Sequence, residues 1–164
     1  MTEILPLNHG NLLYVAKRMR QIDREEIFAT RWSDSAEALA AEAMMLPIDM
    51  CFIAASNGEP VAAFGAFPMH PGCWSVWMFA TDKWASVALS TTRFIKNKLI
   101  VALKKSGANR AECRSHINHK TAHKWLDSLG AIQEATLEKF GKDRQDFYLF
   151  KWNNDQHQHP TEIK

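Results

Sequence analysis

One stretch constrains the fold of this chain more than any other. It runs Ser115-His116-Ile117-Asn118-His119-Lys120-Thr121-Ala122-His123-Lys124-Trp125-Leu126-Asp127-Ser128-Leu129-Gly130-Ala131. It starts as a strand end, passes through a short loop, and becomes a helix with a glycine stop. Ala122, Trp125, Leu126 and Leu129 recur at helical spacing, and Gly130 stands where a left-handed C-terminal cap is needed.

The rest of the chain supplies the partners for that unit. Thr2 to Leu7 suits a first strand. Leu12, Val15, Ala16, Met19 and Ile22 fall at helical spacing. Asp23 and Glu26 give a capping-box start for a second helical piece, and Asp34 with Glu37 repeats that signal until Pro47. Met50 to Ser56 and Val61 to Phe67 read as strands around Asn57-Gly58, a hairpin turn whose two positions tolerate positive φ. Trp74 to Ala80 is another strand. Ile95, Leu99, Ala102 and Leu103 form a helical stripe closed by Gly107, and Ala111 to His116 is a strand. Gln133 to Phe140 and Gln145 to Trp152 flank Gly141-Lys142-Asp143 as a hairpin. Helices therefore alternate with strands. The expected class is α/β (α+β), a single domain over residues 1–152 followed by a polar tail over 153–164, which contains His157 and His159.

Bulk properties set limits on function. A length of 164 residues with 46% hydrophobic and 23% charged content fits one soluble domain with a real core. A net charge of +2 gives no strong signal for nucleic acid or an anionic membrane. Cys51, Cys73 and Cys113 are odd in number, match no metal spacing and suit reduced thiols. No basic region leads into an apolar run at the amino terminus, so no signal peptide is expected, and no apolar stretch approaches about 20 residues.

The opening segment resembles the last conserved block of the GNAT acetyltransferases, with Ala122, Leu126 and Gly130 keeping its spacing. Three further motifs precede it in order: Arg20-x-x-Asp23-x-x-Glu26, Gly58-Glu59-Pro60-Val61-Ala62, and Trp77-Met78-Phe79-Ala80-Thr81-Asp82. The ordered set is similar to GNAT-like proteins of tailed phages, including the internal virion protein A group of short-tailed phages. The resemblance implies a mixed, mostly antiparallel sheet of about seven strands with helices on both faces. It implies acetyl-CoA lying where the fourth and fifth strands splay, with backbone groups of Met78 and Phe79 offered to the pantetheine arm. The pyrophosphate loop then falls on Ala85, Ser86, Val87, Ala88, Leu89 and Ser90. That loop lacks the family's glycines and arginine, and Leu126 replaces the family's usual tyrosine.

Candidate chemistry gathers around the end of the fifth strand. His116 or His119 is a candidate general base, because imidazole titrates in the useful range. Asn118 is a candidate hydrogen-bonding partner of the acceptor or the pantetheine amide. The alternative places His119 and His123 on a solvated helix face with Asn118 as its cap. No third ligand accompanies that histidine pair, so no metal site is expected. Asp23 and Glu26 either cap their helix or line an acceptor-amine pocket. Cys113 reads as a buried strand thiol, and Glu112 and Arg114 as a pair on one strand face. Trp74 and Trp77 fall on opposite faces of their strand. The Lys96 to Lys105 cluster reads as a solvated helix face, with contact to a CoA phosphate or a nucleic acid as the alternative.

The resemblance and its departures lead to one expectation and one alternative. The expectation is a phage-encoded protein, virion-associated or assembly-related, with a degenerate acetyl-CoA site, found in the host bacterial cytoplasm or the virion. Its partners would be virion or host proteins. The alternative is an active acetyl-CoA-dependent N-acyltransferase acting on an amine of a host protein or a small molecule.

Overall fold

A computed structural model describes residues 1–155. The chain forms β1 (Thr2–Pro6), α1 (His9–Lys17), α2 (Gln21–Phe28), α3 (Ala36–Ala43), β2 (Cys51–Ser56), β3 (Glu59–His70) and β4 (Cys73–Ala80). It continues through a 3-10 turn (Trp84–Ser86), α4 (Ala88–Phe94), a π-helical turn (Ile95–Leu99) and α5 (Ile100–Lys105). It ends with β5 (Arg110–His116), α6 (Lys120–Ser128), β6 (Ile132–Leu137) and β7 (Phe147–Asn153). The seven strands make one sheet in the order β1-β2-β3-β4-β5-β7-β6. Only β4 and β5 pair in parallel; every other neighbour is antiparallel.

Apolar residues on alternate sides of the strands build two cores. Helices α1 and α3 and Phe28 of α2 cover one face with Leu12, Val15, Ala16, Leu39 and Ala40 against Ile53, Ala63 and Phe79. Helices α4 to α6 cover the other with Ile95, Leu99, Leu103 and Leu129 against Val61, Phe64 and Ala66. This is the two-sided layering expected when strand side chains alternate. Trp77 packs with the first core and Trp74 with the second, as their strand positions require.

Local signals hold well where they are purely local. Asn57 (φ 49°) and Gly58 (φ 82°) form the β2–β3 turn. At the end of α6, Ala131 N–H donates to Leu126 C=O and Gly130 N–H to Asp127 C=O, with Gly130 at φ 87°. This is the Schellman arrangement, and Leu126 and Ala131 make its accompanying apolar contact.

Helix starts differ from the sequence reading in three places. The helix carrying Asp23 and Glu26 begins at Gln21, and its N-terminal flanking residue Arg20 makes no side-chain cap. Asp23 and Glu26 are therefore inside the helix and turned toward the sheet, not a capping box. Helix α3 is capped by Ser35, whose Oγ accepts from Ala38 N–H at 3.1 Å, rather than by Asp34. Helix α6 is capped by His119, whose Nδ1 accepts from Ala122 N–H at 3.3 Å, rather than by Asn118. Strand β7 runs to Asn153, and Asn154 N–H donates to Asn109 C=O at 2.8 Å. The rest of the expected tail, with His157 and His159, lies outside the described residues. No helix among the described residues is long and apolar enough to cross a membrane.

Candidate active site

The site begins with a short strand pairing. β4 and β5 pair only at Cys73–Arg110, Trp74–Ala111 and Ser75–Glu112, and beyond that register the two strands diverge. A cleft with a cavity volume of about 200 Å³ opens between them. Ile27, Trp77 and Glu26 line it on the α2 side; Phe64, Met78, Leu99 and Leu126 line it on the α4–α6 side. The cleft thus connects the two layers through the sheet.

The edge of β4 facing this cleft can be read from its end. Ala80 N–H donates to Asp23 Oδ2 at 2.8 Å, and Ala80 C=O accepts from Arg20 N–H at 2.8 Å. Both groups therefore face away from β3. Backbone polar groups alternate along an antiparallel ladder, so Met78 and Val76 share this orientation while Phe79 directs its groups to Ala63 of β3. Of the two strand residues expected to offer backbone groups, Met78 presents them to the cleft and Phe79 does not. The Phe79 side chain is 1% exposed and packs in the α1–α3 core.

Asp23 ties the open end together. Its carboxylate accepts from Arg20 Nε and Nη2, each at 2.9 Å, from Ala80 N–H, and from His119 Nε2–H at 2.6 Å. Because His119 Nδ1 accepts the helix-cap bond, the imidazole proton sits on Nε2. Asp23 and His119 are each 2% exposed. A buried carboxylate is tolerable here because a guanidinium and two further donors surround it.

Glu26 lies one helical turn on and is held differently. Its Oε2 accepts from Ser115 Oγ at 2.7 Å and from His116 N–H at 2.8 Å. No Lys or Arg pairs with it, and Oε1 has no hydrogen bond to another described residue. Burial pushes its carboxyl above the ordinary value; the hydrogen bonds from Ser115 Oγ and His116 N–H pull against that rise. Cys113 also lines the cleft, and burial pushes its thiol up to about 12, so it stays protonated.

The residues expected from sequence fall in separate places. The His116 ring does not line the cleft: Nδ1 accepts from Asn118 N–H at 3.0 Å, and the ring packs 5.4 Å from Phe147. Asn118 is exposed in the turn before α6. His123 is half-buried rather than solvated, with Nε2 bonded to His116 C=O at 3.0 Å. Ala85, Ser86, Leu89 and Ser90 are exposed, Val87 is buried, and Ala88 is half-buried; none of the six lines the cleft. Ser86 Oγ donates to Lys83 C=O. Behind this turn Trp84 meets Trp125 edge-on at 5.4 Å, and Trp125 Nε1–H donates to Thr92 Oγ1 at 2.9 Å, which joins α6 to α4. Arg114 and Arg110 both bond Glu112, so the pair seen in sequence is a three-residue cluster. Among the described residues no three His, Cys, Asp or Glu side chains converge as a metal site.

The sequence reading raised Glu26 as a pocket residue only beside the capping reading. Arg20 three residues before Asp23 was the available signal, since a bidentate i,i+3 pair turns both side chains to one face. His119 as a buried residue left no local signal.

This arrangement defines a known architecture: the chain has the GNAT acetyltransferase fold. Its solved likenesses include Ard1 from Thermoplasma volcanium, at 10% identity over 93% of this chain and 97% of that one, with a TM-score of 0.73. Another is yncA from Salmonella typhimurium, solved with its cofactor acetyl-CoA, at 13% identity over 98% of both chains and a TM-score of 0.68. A third is the ribosomal-protein-S18-alanine N-acetyltransferase from Escherichia coli, at 14% identity over 97% of this chain and 100% of that one, with a TM-score of 0.65. No protein-family model matches the chain, and no curated protein matches it by sequence.

Proposed function

We propose that the chain is an acetyl-CoA-dependent N-acyltransferase that acylates an amine, with Glu26 as the proton acceptor. The observation that carries this reading is Glu26 itself: a half-buried carboxylate, without a Lys or Arg partner, in the cleft between β4 and β5. Such a group is poised for a substrate ammonium, and a carboxyl pushed upward is better matched to a proton transfer near neutrality.

The donor side fits as well. An unpaired strand edge at Met78 is the surface with which an amide-bearing arm pairs. In the reaction, Oε1 of Glu26 takes one proton from the ammonium. The freed amine attacks the thioester carbonyl, the C–N bond forms and the C–S bond breaks. The second amine proton neutralises the departing thiolate. A thiolate is a far better leaving group than an alkoxide or an amide anion and departs without a strong general acid, so Leu126 in place of a tyrosine is compatible with turnover. Ser115 holds the carboxylate in place through its 2.7 Å bond. The Escherichia coli neighbour acts, by its name, on a ribosomal-protein alanine, which supports a peptide α-amine as one acceptor class; a small-molecule amine is the other. The test is thiol release from acetyl-CoA with a panel of peptide and small amines. Release that depends on the amine and disappears in Glu26→Gln supports the reading. No release with any amine, together with no binding of acetyl-CoA, removes it.

One observation favours a degenerate donor site, and with it a second reading whose phage virion or assembly role rests on the sequence resemblance alone. None of Ala85 to Ser90 lines the cleft, and Trp125 fills the seam between α4 and α6. That reading requires the protein in purified virions by mass spectrometry; its absence there excludes a virion component.

A further inference from the structure

The net charge of +2 conceals a segregation. Met1 to Asp82 carries five Lys and Arg against ten Asp and Glu, whereas Lys83 to Ser128 carries ten against two, Glu112 and Asp127. Three of those ten cations are engaged: Lys83 with Glu59, and Arg110 and Arg114 with Glu112. The other seven are exposed, and none has an ion-pair partner among the described residues. Arg93, Lys96, Lys98, Lys104 and Lys105 stand on the α4–α5 rod, and Lys120 and Lys124 on α6; of these only Lys104 also lines the β4–β5 cleft. The Trp125–Thr92 bond holds these two elements side by side on one face of the sheet.

We propose that the outer surface of this helical layer docks the phosphate backbone of a nucleic acid. The cations from Arg93 to Lys105 span about 18 Å at about 1.5 Å per residue, roughly five nucleotide steps of about 3.4 Å. A protein partner would need apolar or aromatic anchors at the contact centre. The only large exposed hydrophobics on these helices are Leu89 and Val101, which are far apart along the rod. A membrane surface would need an apolar stripe to insert, and the stripe of this rod (Ile95, Leu99, Leu103) is already buried in the core. The three phosphate groups of one CoA do not account for seven cations spread over two helices. With no exposed aromatic ring on the layer to stack on bases, the contact is to backbone and is tolerant of sequence. This inference does not depend on acyl transfer.

The test uses the full chain and fluorescence anisotropy of a labelled oligouridylate and a labelled mixed-sequence DNA duplex. Saturable binding is expected to at least one, weakening about tenfold or more between about 50 and about 200 mM salt. In the triple variant Lys96→Gln/Lys98→Gln/Lys105→Gln, affinity falls about tenfold or more and the log–log salt slope flattens by about 2 to 3. Gln keeps the helix propensity of Lys, and an unchanged circular dichroism spectrum shows that the variant is folded. Lys17→Gln, on the opposite layer, leaves both quantities as they were. The proposal is overturned if neither oligomer saturates at low salt or if the triple variant binds like the parent. It is also overturned if stoichiometric CoA displaces the oligomer, because the cations then serve the donor. Equal affinity for polyglutamate would assign the face to an acidic protein instead.

Discussion

Asp23 and His119 meet at the open end of the sheet, with Nε2–H donating to Oδ1 at 2.6 Å and both side chains buried. The contact joins α2 to the start of α6, and through Ala80 N–H it also fixes the end of β4. It therefore sets how far the walls of the cleft stand apart. Asp23→Ala strands the Arg20 guanidinium, the Ala80 N–H and the His119 N–H at once. Loss of a buried partner of this kind costs about 3–5 kcal/mol. His119→Ala removes a helix cap and leaves the Asp23 carboxylate with one donor fewer, for about 2 kcal/mol. Chemical denaturation of the two variants checks both, and Asp23→Ala should be the more damaged.

Glu26→Gln separates activity from stability. If Glu26 accepts the proton, kcat/KM falls about 100-fold or more, and the acid limb of the pH profile disappears with it. Stability moves the other way. The folded-state carboxyl is raised above its unfolded value, so the native state binds the proton more tightly than the unfolded chain. Stability from this group is complete below the unfolded pKa and declines as pH rises through the folded one. The ionised form is thus a cost at neutral pH. Glu26→Gln should raise Tm at about pH 8 and leave it nearly unchanged at about pH 4. A fall in Tm at the higher pH contradicts this.

Cys113 should be a spectator despite lining the cleft. With its thiol pushed up to about 12, almost no thiolate exists at neutral pH. Iodoacetamide should label it far more slowly than a free thiol in solution, and Cys113→Ala should retain acyl transfer within about threefold. Loss of activity in Cys113→Ala, or a trapped acyl-thioester on this residue, would sink the direct-transfer reading.

Gly130 is required by its backbone alone. At φ 87° it closes the Schellman motif of α6, and a Cβ there meets no atom within 4 Å. Gly130→Ala therefore costs only left-handed strain, about 1 kcal/mol, and should lower Tm without altering cleft chemistry. A larger loss, or a change in KM, would mean that the turn does more than end the helix.

What could be read from sequence follows the range of the interaction. The Asn57-Gly58 hairpin and the Gly130 cap are decided by two or three neighbouring residues, and both stand as read. The divergence of β4 and β5 depends on strands from Cys73 and Arg110, and only resemblance to a known family suggested it. Asp23 and Glu26 show the limit most clearly. An i,i+3 acidic pair looks the same whether it caps a helix or faces inward; only the start of α2 at Gln21 separates the two. Asn118 and His119 were both able to cap α6, and the buried carboxylate of Asp23, ninety-six positions away, selects His119. The cationic layer was legible only in part: the Lys96 to Lys105 cluster stands in the sequence, but that Lys120 and Lys124 of α6 lie beside it depends on the packing of α6 against α4.

The most direct test of the account is a calorimetric titration of the purified chain with acetyl-CoA. The open cleft and the unpaired Met78 edge predict saturable binding to one site per chain, with a matching rise in Tm. A flat titration up to about 1 mM acetyl-CoA, an affinity weaker than about −4 kcal/mol, would contradict it.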